Sequence, residues 1–140
     1  MNLNCYTYDE LQVGHTETFS VAITEEMMFN FFRITGDGNP LHTDAAYAQQ
    51  RGHVDRVAYG MLTASFMSTM AGVYLPGKYS LVHRSEAEFP TPVNVGDTLV
   101  FVGEVVEKND HFKTIELKIT ARNSDGKKVL RGKMRVGVLE

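Results

Sequence analysis

Only one cysteine, Cys5, occurs in a chain of 140 residues. It has no partner for an internal disulfide, and there is no CxxC pair or Cys/His metal spacing. Cys5 therefore reads as an incidental thiol near a terminus rather than a nucleophile. Positive charge is not in excess either: 14 Lys and Arg face 17 Asp and Glu, a formal net charge of −3. A nucleic-acid binder needs a clustered basic face to neutralise phosphates, so that class is set aside. No apolar run approaches the roughly twenty residues that span a bilayer. Residues 1–10 are polar and acidic, unlike a secretory signal. The expected location is the cytoplasm, away from membranes. With four prolines and no repeat or low-complexity tract, 1–140 reads as one domain.

What is present is the balance of a globular protein, 43% hydrophobic and 22% charged. Residues 18–23 alternate polar and apolar and predict a first strand. Thr24, followed by Glu25 and Glu26, predicts the N-cap and acidic first turn of a helix running to Ile34. Two glycines, an Asn and a Pro between 36 and 40 stop that helix and predict a loop. A short helix is expected over 44–50, capped by Thr43 or Asp44. The run 61–75 carries apolar or small residues on nearly every side, which predicts a helix buried all round and ended by Pro76-Gly77. Four segments of period two follow, over 81–89, 99–107, 114–121 and 130–138. Turn residues at 108–110 and 124–126 predict antiparallel connections between them. The fold class is α+β: an antiparallel sheet of about five strands wrapped around one long central helix.

The informative stretch is Phe32-Arg33-Ile34-Thr35-Gly36-Asp37-Gly38-Asn39-Pro40-Leu41-His42. Asp37 and His42 are five residues apart, which does not place them on one helix face. A tight loop can still aim both at one point, and a carboxylate beside an imidazole suits holding and deprotonating a water. Asn39 offers hydrogen bonds within the same loop. The residues alone equally allow a plain turn, with Asp37 and Asn39 bonding the backbone. A second constellation is 58–61, at the start of the long helix, where unsatisfied N–H groups meet a small residue, Gly60. That glycine would admit a ligand oxygen to its amide, or merely permit a tight entry into the helix.

The stretch from Phe32 to His42, with Ala48 beyond it, resembles the signature of the hydratase-2 group, the (R)-specific enoyl-CoA hydratases and MaoC-like dehydratases. The similarity continues through Asp44 and Tyr47, Tyr59-Gly60-Met61-Leu62, Pro90 and Val95-Gly96-Asp97-Thr98, and so covers most of the chain. The resemblance implies a hot-dog fold with Asp37 and His42 as a catalytic dyad acting on water. It implies a trans-2-enoyl thioester substrate, carried on coenzyme A or acyl carrier protein and hydrated to the (R)-3-hydroxyacyl thioester. It also implies that the Gly60 amide acts as an oxyanion donor and that Asn39, Tyr59 and Met61 form the substrate-binding set. No metal or redox cofactor is implied. Two departures stand out: many relatives have histidine where this chain has Tyr59, and 78–84 lacks their glycine-rich stretch.

Other side chains invite simpler readings. His15 and His53 are expected at the surface, and His83 partly buried beside Leu81 and Phe89. Glu86 and Glu88 read as solvated. The basic stripe Arg131, Lys133 and Arg135 suits coenzyme A phosphates or an acidic carrier protein, but a solvated strand face is the simpler account. The methionines read as core filler that would also suit an acyl pocket. A homodimer is expected, because an open sheet of this size leaves an edge to cover. The rival functions are an acyl thioesterase and a non-catalytic acyl-binding module.

Overall fold

Side-chain alternation decides which face of the sheet is inside. In β4 (Thr114–Arg122), Ile115, Leu117, Ile119 and Ala121 are buried while Lys118 is exposed. In β3 (Thr98–Asn109), Leu99, Phe101 and Val105 are buried while Val100 and Val102 face outward. A computed structural model describes residues 2–140. It pairs these strands with β1 (Thr16–Ala22), β2 (Ser80–Glu88) and β5 (Lys128–Val138) in one antiparallel sheet of order β1-β3-β4-β5-β2. The strands at 81 and beyond thus form as expected, each shifted or lengthened by a few residues. The first strand begins at Thr16, two residues early.

The inner face is covered by α4 (Gly60–Thr69), which buries Leu62, Thr63 and Met67, and by the turn that continues it, which buries Met70 and Ala71. Two glycines let this helix lie close on the strands. A Cβ on Gly132 of β5 would fall 2.5 Å from Met67 Cε, and one on Gly103 of β3 2.6 Å from Met70 Sδ. Phe101 stacks on Phe19 at 5.1 Å and meets Phe66 at 5.8 Å, which ties β1, β3 and α4 together. Burying each such side chain is worth about 1.5–3 kcal/mol. This is the hot-dog arrangement.

Four expectations need correction. The run 61–75 is not one helix buried all round: α4 gives way at Met70–Tyr74 to a wider π turn, in which Leu75 N–H reaches Met70 O at 2.8 Å. Met61 is 67% exposed, and Ser65 and Ser68 are also exposed, because the sheet covers only one side. Pro40 to His42 is not loop, since α2 (Pro40–Thr43) forms ahead of α3 (Ala45–Gln50). Proline suits the first helical position, where its missing N–H costs nothing. His83 is exposed, not partly buried, because β2 is an edge strand with a bulge between Val82 and Arg84. His15 and His53 are instead half-buried; His15 sits edge-on to Tyr6 with Nε2 3.4 Å from Glu17.

Candidate active site

Short-range bonds shape the segment that carries Asp37 and His42. Helix α1 (Glu25–Thr35) starts where Thr24 Oγ1 accepts the Met27 amide at 3.1 Å. It ends on Gly36, whose φ of 73° is a left-handed conformation that glycine adopts without strain. Thr35 Oγ1 donates to Phe31 O at 2.8 Å and accepts the Asp37 amide at 3.2 Å. Asp37 Oδ1 then accepts the Asn39 amide at 3.1 Å, and Asn39 Oδ1 accepts the Leu41 amide at 2.9 Å, capping α2. Asp44 caps α3 in the same manner through the Tyr47 amide. The turn reading of Asp37 and Asn39 is realised: one carboxylate oxygen of Asp37 holds the turn, and Oδ2 makes no bond within it. Asp37 and Asn39 are exposed, and His42 is half-buried.

The imidazole is oriented by the chain ahead of α4. His42 Nδ1 lies 2.6 Å from Val57 O. A carbonyl only accepts, so Nδ1 carries the proton and donates, which leaves the Nε2 lone pair to accept one. Val57 N–H returns a bond to Leu41 O at 3.1 Å, and Ala58 N–H bonds Val93 O at 2.7 Å. Two residues beyond Val57, the ring of Tyr59 packs 4.2 Å from the imidazole and 4.7 Å from Phe31. The Tyr59 hydroxyl donates to the main-chain oxygen of Asp37 at 2.6 Å. Burial pushes the Tyr59 phenol up and the negative charge of Asp37 adds to this, so the hydroxyl stays protonated and remains a donor.

A cavity of about 470 Å³ opens against this group. Met28, Phe29 and Phe32 of α1 form its apolar wall, with Gly38, His42, Thr43 and Tyr59 opposite. Arg56 and Glu25, joined in a bidentate ion pair, complete the lining. Arg56 holds the Glu25 carboxyl below its ordinary range. Asp37 and Asn39 do not line this cavity, and two others, of about 550 and 820 Å³, lie against strand side chains of β2 to β5 and do not include His42.

Gly60 is the first residue of α4, and Tyr59 supplies no side-chain cap. The amides of Leu62 and Thr63 both bond Tyr59 O, so the Gly60 amide is a helix donor without an intrahelical acceptor. Its φ is not positive, and an added Cβ would meet Phe89 at an ordinary 3.5 Å, so local packing does not demand glycine here.

The structure thus brings His42, Tyr59 and the main chain of Asp37 together. Gly60 adjoins this group through Tyr59 but does not line the cavity, and neither does Met61. The cavity wall of Met28 and Phe29 and the pair Arg56–Glu25 were not anticipated as site residues. The α1 residues were legible as one apolar helix face, whereas nothing in the sequence around Arg56 marks it. The stripe Arg131, Lys133 and Arg135 faces carboxylates: Arg135 Nε is 2.9 Å from Glu116 and Arg131 Nε 3.9 Å from Glu88. Glu86 pairs with Arg84. These are exposed pairs on a solvated face. Among the described residues, no three His, Cys, Asp or Glu side chains group to hold a metal ion, and no helix is long and apolar enough to cross a membrane.

Known proteins resemble this chain in sequence and in fold. An (R)-specific enoyl-CoA hydratase of Rhodospirillum rubrum is 28% identical over 137 residues, covering 98% of this chain and 94% of the relative. A 3-hydroxybutyryl-CoA dehydratase of Methylorubrum extorquens is 31% identical over 118 residues, 84% of this chain and 75% of the relative. The solved structure of the R-hydratase PhaJ1 from Pseudomonas aeruginosa, in its unliganded form, superposes with a TM-score of 0.92 at 31% identity, covering 99% of this chain and 88% of that one. The MaoC like domain model matches residues 12–127, from the approach to β1 through the turn before β5 and across the whole site. By sequence and by fold, this chain belongs to the MaoC-like domain family.

Proposed function

We propose that this protein is a hydro-lyase that reversibly hydrates trans-2-enoyl thioesters of coenzyme A or acyl carrier protein to (R)-3-hydroxyacyl thioesters. The observation that carries the reading is that the His42 ring and the main chain of Asp37 are both tied to Tyr59, beside a cavity that His42 and Tyr59 line with an apolar wall, with the His42 Nε2 lone pair left free. The hydratase and dehydratase names of its relatives support it. In the forward direction Asp37 is the general base on a water that His42 Nε2 also holds. The water oxygen bonds to the β-carbon as its proton passes to the dyad, and the double-bond electrons move towards the thioester carbonyl. The oxygen that gains charge accepts from the Gly60 amide, a contribution of about a hundred- to a thousandfold in rate. The dyad then returns a proton to the α-carbon. One water is added and no net oxidation occurs, so the proposal asks for no redox cofactor or metal.

Asn39 orders the loop, while the Tyr59 ring borders the acyl group. The whole chain, 1–140, acts as one catalytic domain, in the cytoplasm. The edge strand β2 supports a homodimer: Leu81 and Val82 on it, and Phe89 just beyond it, are 52%, 42% and 44% exposed and offer apolar surface to a second copy. The test is loss of the enoyl-thioester absorbance of crotonyl-CoA, run beside thiol release from butyryl-CoA. The proposal predicts the first without the second. Thiol release alone would make the protein a thioesterase, and binding without either would make it an acyl-binding module.

A further inference from the structure

We infer that Tyr59 is a positioning residue: its hydroxyl fixes the main chain at Asp37 while its ring fixes the imidazole of His42, so one buried side chain sets the relation between the two reacting groups. The inference rests on the functional reading above and specifies how that site is held.

The bonds made by Thr35, Asp37 and Asn39 side chains to the amides of 37, 39 and 41 each span two residues. They give the loop its local shape without attaching it to the rest of the molecule. Asp37 also lies between Gly36 and Gly38, where the backbone has most freedom. The bond from Tyr59 reaches across 22 positions and is short, at 2.6 Å. Tyr59 is itself firmly placed, since it is 2% exposed and follows directly on Ala58, which is bonded to Val93. The dyad's other member is tied to the same segment, through His42 Nδ1 to Val57 O and through the ring contact of 4.2 Å. A hydroxyl whose proton is committed to the Asp37 carbonyl does not donate to a thioester, so its effect falls on geometry rather than on substrate affinity. A misplacement of about 1 Å in a reacting group costs on the order of a hundredfold in rate.

Tyr59→Phe keeps the ring and removes only the hydroxyl. The expected result with crotonyl-CoA is a kcat lower by roughly ten- to a hundredfold, with KM within about threefold of wild type. NMR order parameters of the amides across 37–42 are expected to fall while those of β4 stay unchanged. An unchanged kcat in Tyr59→Phe, a defect confined to KM, or a loop as rigid as in wild type would each overturn the inference. Wild-type protein that turns over no enoyl thioester would sink the functional reading and the inference together, whereas full activity in Tyr59→Phe would sink this inference alone.

Discussion

In β4, alternate side chains are buried, and both neighbours, β3 and β5, pair with it along its length. In the loop between α1 and α2, residues 36–39 are exposed throughout, and their order comes from a few hydrogen bonds to hydroxyl, carboxylate and amide side chains. Burial is spread over many contacts, so β4 tolerates small changes of geometry. The loop is held at a few points, each of which directs a reacting group. Stability and activity should therefore respond to different substitutions.

The largest effect is expected in the loop. Asp37→Asn and His42→Ala should each lower kcat by roughly 10²–10⁴-fold, as loss of a general acid–base group does. Asp37→Asn should leave the melting temperature nearly unchanged, because the side chain is exposed and Asn retains an oxygen for the Asn39 amide. The converse is Leu117→Ala in β4, expected to cost about 2–5 kcal/mol. Its melting temperature should drop by on the order of 10 °C, while kcat of the folded protein stays within about twofold, because Leu117 lines no part of the cavity at His42. A Leu117→Ala variant that lost activity before stability would break the contrast.

Gly60→Ala sharpens it. An added Cβ meets Phe89 at 3.5 Å and the position is helical, so thermal stability should hold or rise by up to about 1 kcal/mol. Activity should nevertheless fall by roughly tenfold or more, because a methyl group crowds the approach to the oxyanion amide. A smaller effect is expected from Thr24→Ala, which removes the α1 cap and costs about 1 kcal/mol, read by thermal melting. The smallest lies far from the site. Burial, and then the hydrogen bond to Asp110, push the Tyr8 phenol up to about 12 from its ordinary 10. The fold favours the protonated phenol, so this stabilisation is complete below pH 10 and is lost as pH rises from 10 through about 12. Melting curves across that range should show wild type losing ground against Tyr8→Phe.

The strands were legible because a half-buried antiparallel strand repeats every two residues, as 114–121 does. The pattern does not say which strand ends up at an edge, and that is why His83 was placed partly inside. The π turn was missed because its residues are as apolar as those of α4 and differ only in hydrogen bonding. Helix α2 was missed because Asn39-Pro40 suits a turn and a helix start equally well. Asp37 and His42 stood out through the resemblance of the whole stretch, not through their spacing. Tyr59 stood out only as a substrate-binding residue through the same resemblance, and its bond to Asp37 O was not legible because that contact spans 22 residues. Arg56 gave no signal because its meaning comes only from Glu25, 31 residues away.

The most direct test of the central claim follows the oxygen. Crotonyl-CoA is incubated with the protein in water enriched in oxygen-18, and the products are analysed by mass and by chiral chromatography. The account predicts (R)-3-hydroxybutyryl-CoA with the label on the β-carbon hydroxyl and the thioester intact. Label in a free carboxylate, or the (S) product, would contradict it.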